Sequence, residues 1–149
     1  MGSRGIDDDY RTCAETYATL RVYSDDVDPD EVTSIIGFEP TDSFRKGDVR
    51  SKRRDVSAPL YKMNGWFYCT RDSSRSRDSR RHLELLLAGP LKDRGVTKAL
   101  RERGCWLDIS IFYAYTGGGP TISPEQMKGL ADADVDVWWD LYRELDDET

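Results

Sequence analysis

The chain has 149 residues, 38% of them hydrophobic and 11% aromatic, which suffices for the core of one domain and argues against global disorder despite 34% charged residues. Three widely separated cysteines, Cys13, Cys69 and Cys105, suit reduced thiols better than a disulfide framework, and the formal charge of −6 weighs against a generic nucleic-acid binder. No stretch approaches the roughly 20 mostly apolar residues of a membrane-spanning helix, and MGSRGIDDDY lacks the apolar centre of a secretory signal, so a cytoplasmic protein without membrane contact is expected.

Residues 1–15 are polar and acidic without periodicity and read as a flexible leader; a single domain is expected over 16–145. YATLRVY (Tyr17 to Tyr23) alternates with period two, placing Ala18, Leu20 and Val22 on one side of a strand. Asp28-Pro29-Asp30-Glu31 is a helix start, with Asp28 as cap and Pro29 at the first position; Val32, Ile35 and Ile36 share its apolar face and Gly37 ends it. A short edge strand follows Pro40. Lys46 to Lys62 has no apolar period and reads as a long basic loop. GWFYCT (Gly65 to Thr70) is the next strand, with Trp66 and Tyr68 on one side and Phe67 and Cys69 on the other.

RDSSRSRDSRR reads as a flexible Ser/Arg-rich linker. His82 to Ala88 and Val96 to Arg103 are helical on either side of Gly89-Pro90, which predicts a broken helix. CWLDISIFYAY is a strand whose residues Cys105, Leu107, Ile109 and Ile111 face a core opposite Trp106, Asp108, Ser110 and Phe112. After the turn Gly117 to Pro120, Ser123-Pro124-Glu125-Gln126 repeats the cap logic of the first helix. VDVWWDLY closes the series, with Val135, Val137, Trp139 and Leu141 inward and Asp136, Trp138, Asp140 and Tyr142 outward. The fold class is α+β: a ferredoxin-like βαββαβ order, extended by a short helix and a fifth strand, with helices on one face of a mostly antiparallel sheet.

YATLRVYSDDVDPDEVTSIIGFEPT, NGWFYCT and LDISIFYAYTGGGPTISPEQMKGLADADVDVWWDLY, taken in order, resemble the bacterial family catalogued as domain of unknown function 4279. The resemblance covers Tyr17 to Tyr142, and it implies no catalytic residues. The arginine-rich segments at Arg50 to Arg54 and Arg71 to Arg81 depart from the family pattern.

Charge is unevenly spread: Arg45 to Arg81 holds twelve Arg or Lys against four Asp, so that segment is basic and the remainder acidic. The basic loops near 47–62 and 71–80 either attract a polyanionic partner or complement the protein's own acidic ends. His82 is the sole histidine, set among arginines, and reads as a solvent-side residue rather than a catalytic or metal-binding one. The three cysteines lack zinc-ligand spacing, and the glycines at 117–119 run into Pro120, which has no N–H for a phosphate, so they read as a turn. No cofactor or metal is expected, and no catalytic set is complete.

The outward aromatics carry the functional expectation. Trp66, Tyr68, Trp106, Phe112 and Trp138, with Tyr17 and Tyr23 as further candidates, are assigned to the strand sides opposite the aliphatic rows, and Arg50, Arg53 and Arg54 lie in the basic loop beside them. A face this apolar is covered either by the Lys46 to Lys62 loop or by a partner. The favoured reading is a small non-enzymatic binding protein that engages a protein partner, in an immunity-like or phage-related role. The alternative is single-stranded nucleic acid, through aromatic stacking beside arginines. The third is a hydrolase or transferase built on Asp108, Asp136 and Asp140.

Overall fold

Local capping signals set the helix boundaries in this computed structural model, which describes residues 5–50 and 59–144. Helix α1 (Pro29–Ile36) starts at the Asp28 side chain, which accepts from Asp30 N, and stops at Gly37, whose φ of 80° only glycine adopts without strain. The broken helix is two: α2 (Ser79–Ala88), capped by Asp78, and α3 (Arg94–Glu102), capped by Asp93. The last, α4 (Pro124–Ala133), carries a full capping box in which Ser123 and Gln126 bond each other's backbone N–H.

The strands are β1 (Cys13–Ser24), β2 (Asp42–Phe44), β3 (Asn64–Cys69), β4 (Trp106–Tyr115) and β5 (Asp136–Arg143), joined in the order β2-β3-β1-β4-β5. β1 and β3 are central and antiparallel, β2 and β4 flank them antiparallel, and β5 joins β4 in parallel after the α4 crossover. The architecture is therefore α+β, with a mostly antiparallel open sheet. Ala18, Leu20 and Val22 of β1 and Leu107, Ile109 and Ile111 of β4 form one continuous buried row with Val32, Ile36, Leu83, Leu86, Leu100 and Leu130 of the helices. One sheet face is thus roofed by helices, and the other is open among the described residues.

Register decides which side each residue of β3 takes. Trp66 stands opposite Val22 and Tyr68 opposite Leu20, so both rings lie on the helix side, not on the open face where they are expected from the sequence. Trp66 is 0% exposed, and its indole Nε1–H donates to Thr33 Oγ1 of α1 at 3.0 Å. The open side of β3 instead belongs to Gly65, Phe67 and Cys69. A Cβ at Gly65 would lie 2.1 Å from Cζ of Phe44, so the missing side chain is what lets that ring rest on the sheet.

His82 is likewise corrected: it is 0% exposed, not solvent-facing. Its Nδ1 lies 2.6 Å from Thr70 Oγ1 and its Nε2 lies 2.8 Å from the carbonyl of Ser76. Because a carbonyl can only accept, the Nε2–H tautomer satisfies both contacts, with the Thr70 hydroxyl donating to Nδ1. Burial pushes the imidazole pKa down against opposing backbone and carboxylate contributions from Ser76, Asp78 and Asp8.

The Ser/Arg-rich segment is held by the acidic residues preceding β1. Ser76 Oγ donates to Asp8, the Arg77 N–H donates to the Asp8 carbonyl, and Arg81 pairs with the Asp8 carboxylate. Asp78 accepts from Asp7 N and forms a buried pair with Arg80 at 2.7 Å. Burial pushes the Asp78 carboxyl pKa up, but the Arg80 side chain and the two backbone N–H donors outweigh it and hold it below the usual range. Arg45 pairs with Asp28 and Asp30, and Arg71 with Glu15. Arg45, Arg71, Arg80 and Arg81 of the basic cluster therefore complement the protein's own carboxylates. Among the described residues, no helix is long and apolar enough to cross a membrane.

Candidate functional site

The alternating residues of β1 and β4 that miss the core assemble the open face. Thr19, Arg21 and Tyr23 stand opposite Ser110, Asp108 and Trp106, and Tyr17 stands opposite Phe112. Parallel pairing then sets Asp136 beside Asp108, Trp138 beside Ser110 and Asp140 beside Phe112. At the centre, Arg21 Nε and Nη2 donate to the two carboxylate oxygens of Asp108, each at 2.7 Å.

Two aromatic groups flank this ion pair. Toward one end, Tyr17 stacks on Phe112 at 4.6 Å with planes 7° apart, and Tyr142 follows at 5.2 Å, so the rings cross β1, β4 and β5. Arg71 lies over Tyr17, 5.5 Å from its centroid. Toward the other end, Tyr23 meets Phe67 edge-on at 5.6 Å, Phe67 meets Phe44 edge-on at 5.4 Å, and Phe44 stacks on Tyr61 at 3.7 Å. Arg21, Tyr23, Phe44, Arg50, Tyr61 and Phe67 line a groove of about 400 Å³ there, with the Arg50 guanidinium over Tyr61 at 5.7 Å. Burial raises the phenol pKa values of Tyr17 and Tyr23, and the hydrogen bond to Asp140 raises that of Tyr142, so all three remain neutral donors at physiological pH.

Of the expected site residues, Trp106, Phe112 and Trp138 are on this face and Arg50 is at its rim. Trp66 and Tyr68 are on the opposite face, and Arg53 and Arg54 lie outside the described residues. Trp106 and Trp138 are 48% and 58% exposed. The 46–62 segment covers the face only at the β3 end through Tyr61, among its described residues. Phe44, Tyr61, Phe67 and Tyr142 join the face unanticipated as site members; the alternation in DSF and in VDVWWDLY is the signal that marks Phe44 and Tyr142.

Of the three carboxylates considered as an acid–base set, Asp108 accepts from Arg21 on both oxygens, Asp136 stands beside it and Asp140 stands beside Phe112. The glycines after β4 make a turn, with Gly118 at φ 70°, and the α4 start they lead to is already satisfied by its own capping box. Cys13 and Cys105 are buried and Cys69 is half-buried on the open face; burial raises the thiol pKa of the first two. Among the described residues, no group of three or more His, Cys, Asp or Glu is placed to hold a metal.

No curated protein and no solved structure matches the chain. The family model for a domain of unknown function, DUF4279, matches residues 14–144, from the start of β1 to the end of β5. With that span covering nearly the whole chain and both sheet faces, the protein belongs to the DUF4279 family.

Proposed function

We propose that this is a non-catalytic, cytoplasmic binding protein whose open sheet face docks a protein partner. The observation that carries the reading is the pair Trp106 and Trp138, left 48% and 58% exposed on a face whose remaining aromatic rings pack against one another. Large exposed indoles are costly to keep wet and are typical anchors of protein interfaces. Asp136 and Asp140 share the face with Trp138, which suits a partner segment presenting Arg or Lys: the cation can lie over an indole while a carboxylate neutralises it. A basic toxin or phage factor has this chemistry.

The test is capture of partners from the source organism by wild type and by a Trp106→Ala, Trp138→Ala double variant. A specific partner retained by wild type and lost by the folded variant supports the reading. Equal capture by both removes the face from it.

Single-stranded nucleic acid is the second reading, favoured by the Tyr17, Phe112 and Tyr142 ladder with Arg71 above its end. Fluorescence anisotropy of a labelled single-stranded RNA at low salt separates the two. Salt-sensitive binding that Phe112→Ala weakens favours this reading, and no binding eliminates it.

A further inference from the structure

The two edges of the sheet are built differently. β2 has three residues and follows Pro40, so that edge is short and blunted. β5 has eight residues, DVWWDLYR, with no proline and no lysine. Its backbone polarity can be read from one bond: Glu144 N donates to Tyr115 O, so the even-numbered residues of this parallel strand turn their N–H and C=O toward β4. Val137, Trp139, Leu141 and Arg143 therefore turn theirs outward, along an edge that no other described strand pairs with.

The same odd-numbered residues point to the helix side, since Val137 pairs with Ile109 and Trp139 with Ile111. Val137 packs on the core, yet Trp139 and Leu141 remain 42% and 49% exposed although their alternation marks them as inward. Among the described residues, an unpaired backbone edge and an uncovered apolar row thus coincide on the same residues.

We infer that two copies of this chain join through β5, antiparallel about a two-fold axis at Trp139, making one continuous sheet. In this register Trp139 faces its own copy, Val137 faces Leu141 and the outward backbone groups of both strands close a ladder, which seals the exposed row on the helix side. On the open face Trp138 faces Asp140 and Asp136 faces Tyr142, so no two carboxylates stand directly opposite. A register centred one residue later sets Asp140 against itself, so charge selects between the two. The pairing is isologous and closes at two copies. It shares Trp138 with the partner docked on the open face, but it is tested through Trp139 and Leu141, whose side chains lie on the helix side.

The experiment is the solution mass by light scattering of wild type, Trp139→Lys and Leu141→Pro. Proline at 141 removes only an outward N–H and leaves the β4–β5 ladder intact. Wild type at twice the 17.1 kDa chain mass, with both folded variants at the single-chain mass, is the expected result. A single-chain wild type, or a dimer that survives both substitutions, overturns the inference. Register is tested by oxidative cross-linking in a Cys69→Ser background: Trp139→Cys faces itself at a Cα separation of about 5.5 Å, inside the disulfide range, whereas Asp140→Cys does not. Equal cross-linking of both overturns the stated register. Partner capture through Trp106 and Trp138 is read separately, so failure of either proposal is distinguishable from failure of the other.

Discussion

Arg21 and Asp108 face each other across β1 and β4 through two 2.7 Å hydrogen bonds, and this clasp sits between the two aromatic groups of the open face. The hydrogen bonds to Asp108 raise the Arg21 pKa against the burial that lowers it, so the guanidinium stays charged throughout the physiological range. The pair ties β1 to β4 on the side that lacks helices.

Removing one partner should therefore cost stability rather than activity. Asp108→Asn loses the charge and one bidentate contact while leaving Arg21 part-buried; a loss of about 1.5–3 kcal/mol is expected from urea unfolding. A change under about 0.5 kcal/mol would mean that the clasp is merely a surface ion pair.

The tryptophans separate by face. Trp66→Ala should destabilise the fold by about 3–5 kcal/mol, since it empties the core beneath α1 and orphans the Thr33 hydroxyl's contact. Trp106→Ala and Trp138→Ala should each stay within about 0.5 kcal/mol of wild type. Acrylamide should quench Trp106 and Trp138 while sparing Trp66, and quenching of Trp66 to the same extent would contradict the β3 register.

His82 predicts an acid-side loss of stability. Its folded pKa is depressed, so between that value and the unfolded value near 6.5 the unfolded chain binds more protons. The contribution is complete above about pH 6.5 and is lost as pH falls through the depressed folded value. His82→Gln should be less stable overall but should lack this slope. Asp78, also depressed, adds a separate loss only as pH falls below its ordinary value of 3.8.

Gly65 should not tolerate a methyl group. Phe44 lies between Gly65 and Tyr61, whose ring is stacked 3.7 Å away, so the ring cannot simply withdraw. Gly65→Ala should cost about 1–3 kcal/mol through overpacking and reopen the groove at Tyr61. Thermal unfolding checks this, and an unchanged melting temperature would show that Phe44 moves freely.

Periodicity and capping carry most of the fold: Leu20, Val22, Ile109 and Ile111 mark the core side of their strands, and Asp28 and Ser123 mark two helix starts, all as the structure has them. β3 defeats this logic. NGWFYC has large rings on both sides, so alternation separates Trp66 from Phe67 without saying which meets the core, and only pairing with Val22 decides it. His82 is hidden for a different reason. Its arginine neighbours suggest solvent, but Arg81 and Arg80 are drawn to Asp8 and Asp78, and the imidazole is left facing Thr70 beneath them. The inward row of β5 is read correctly in direction and wrongly in burial, because an edge strand has a neighbour on one side only.

The central claim is that Trp106 and Trp138 anchor a protein partner on the open face, and calorimetric titration of the captured partner tests it most directly. The account predicts that the double alanine variant, folded and with an unchanged melting temperature, binds at least about 30-fold more weakly, as loss of an interface anchor of 2 kcal/mol or more requires. An affinity equal to wild type would contradict it.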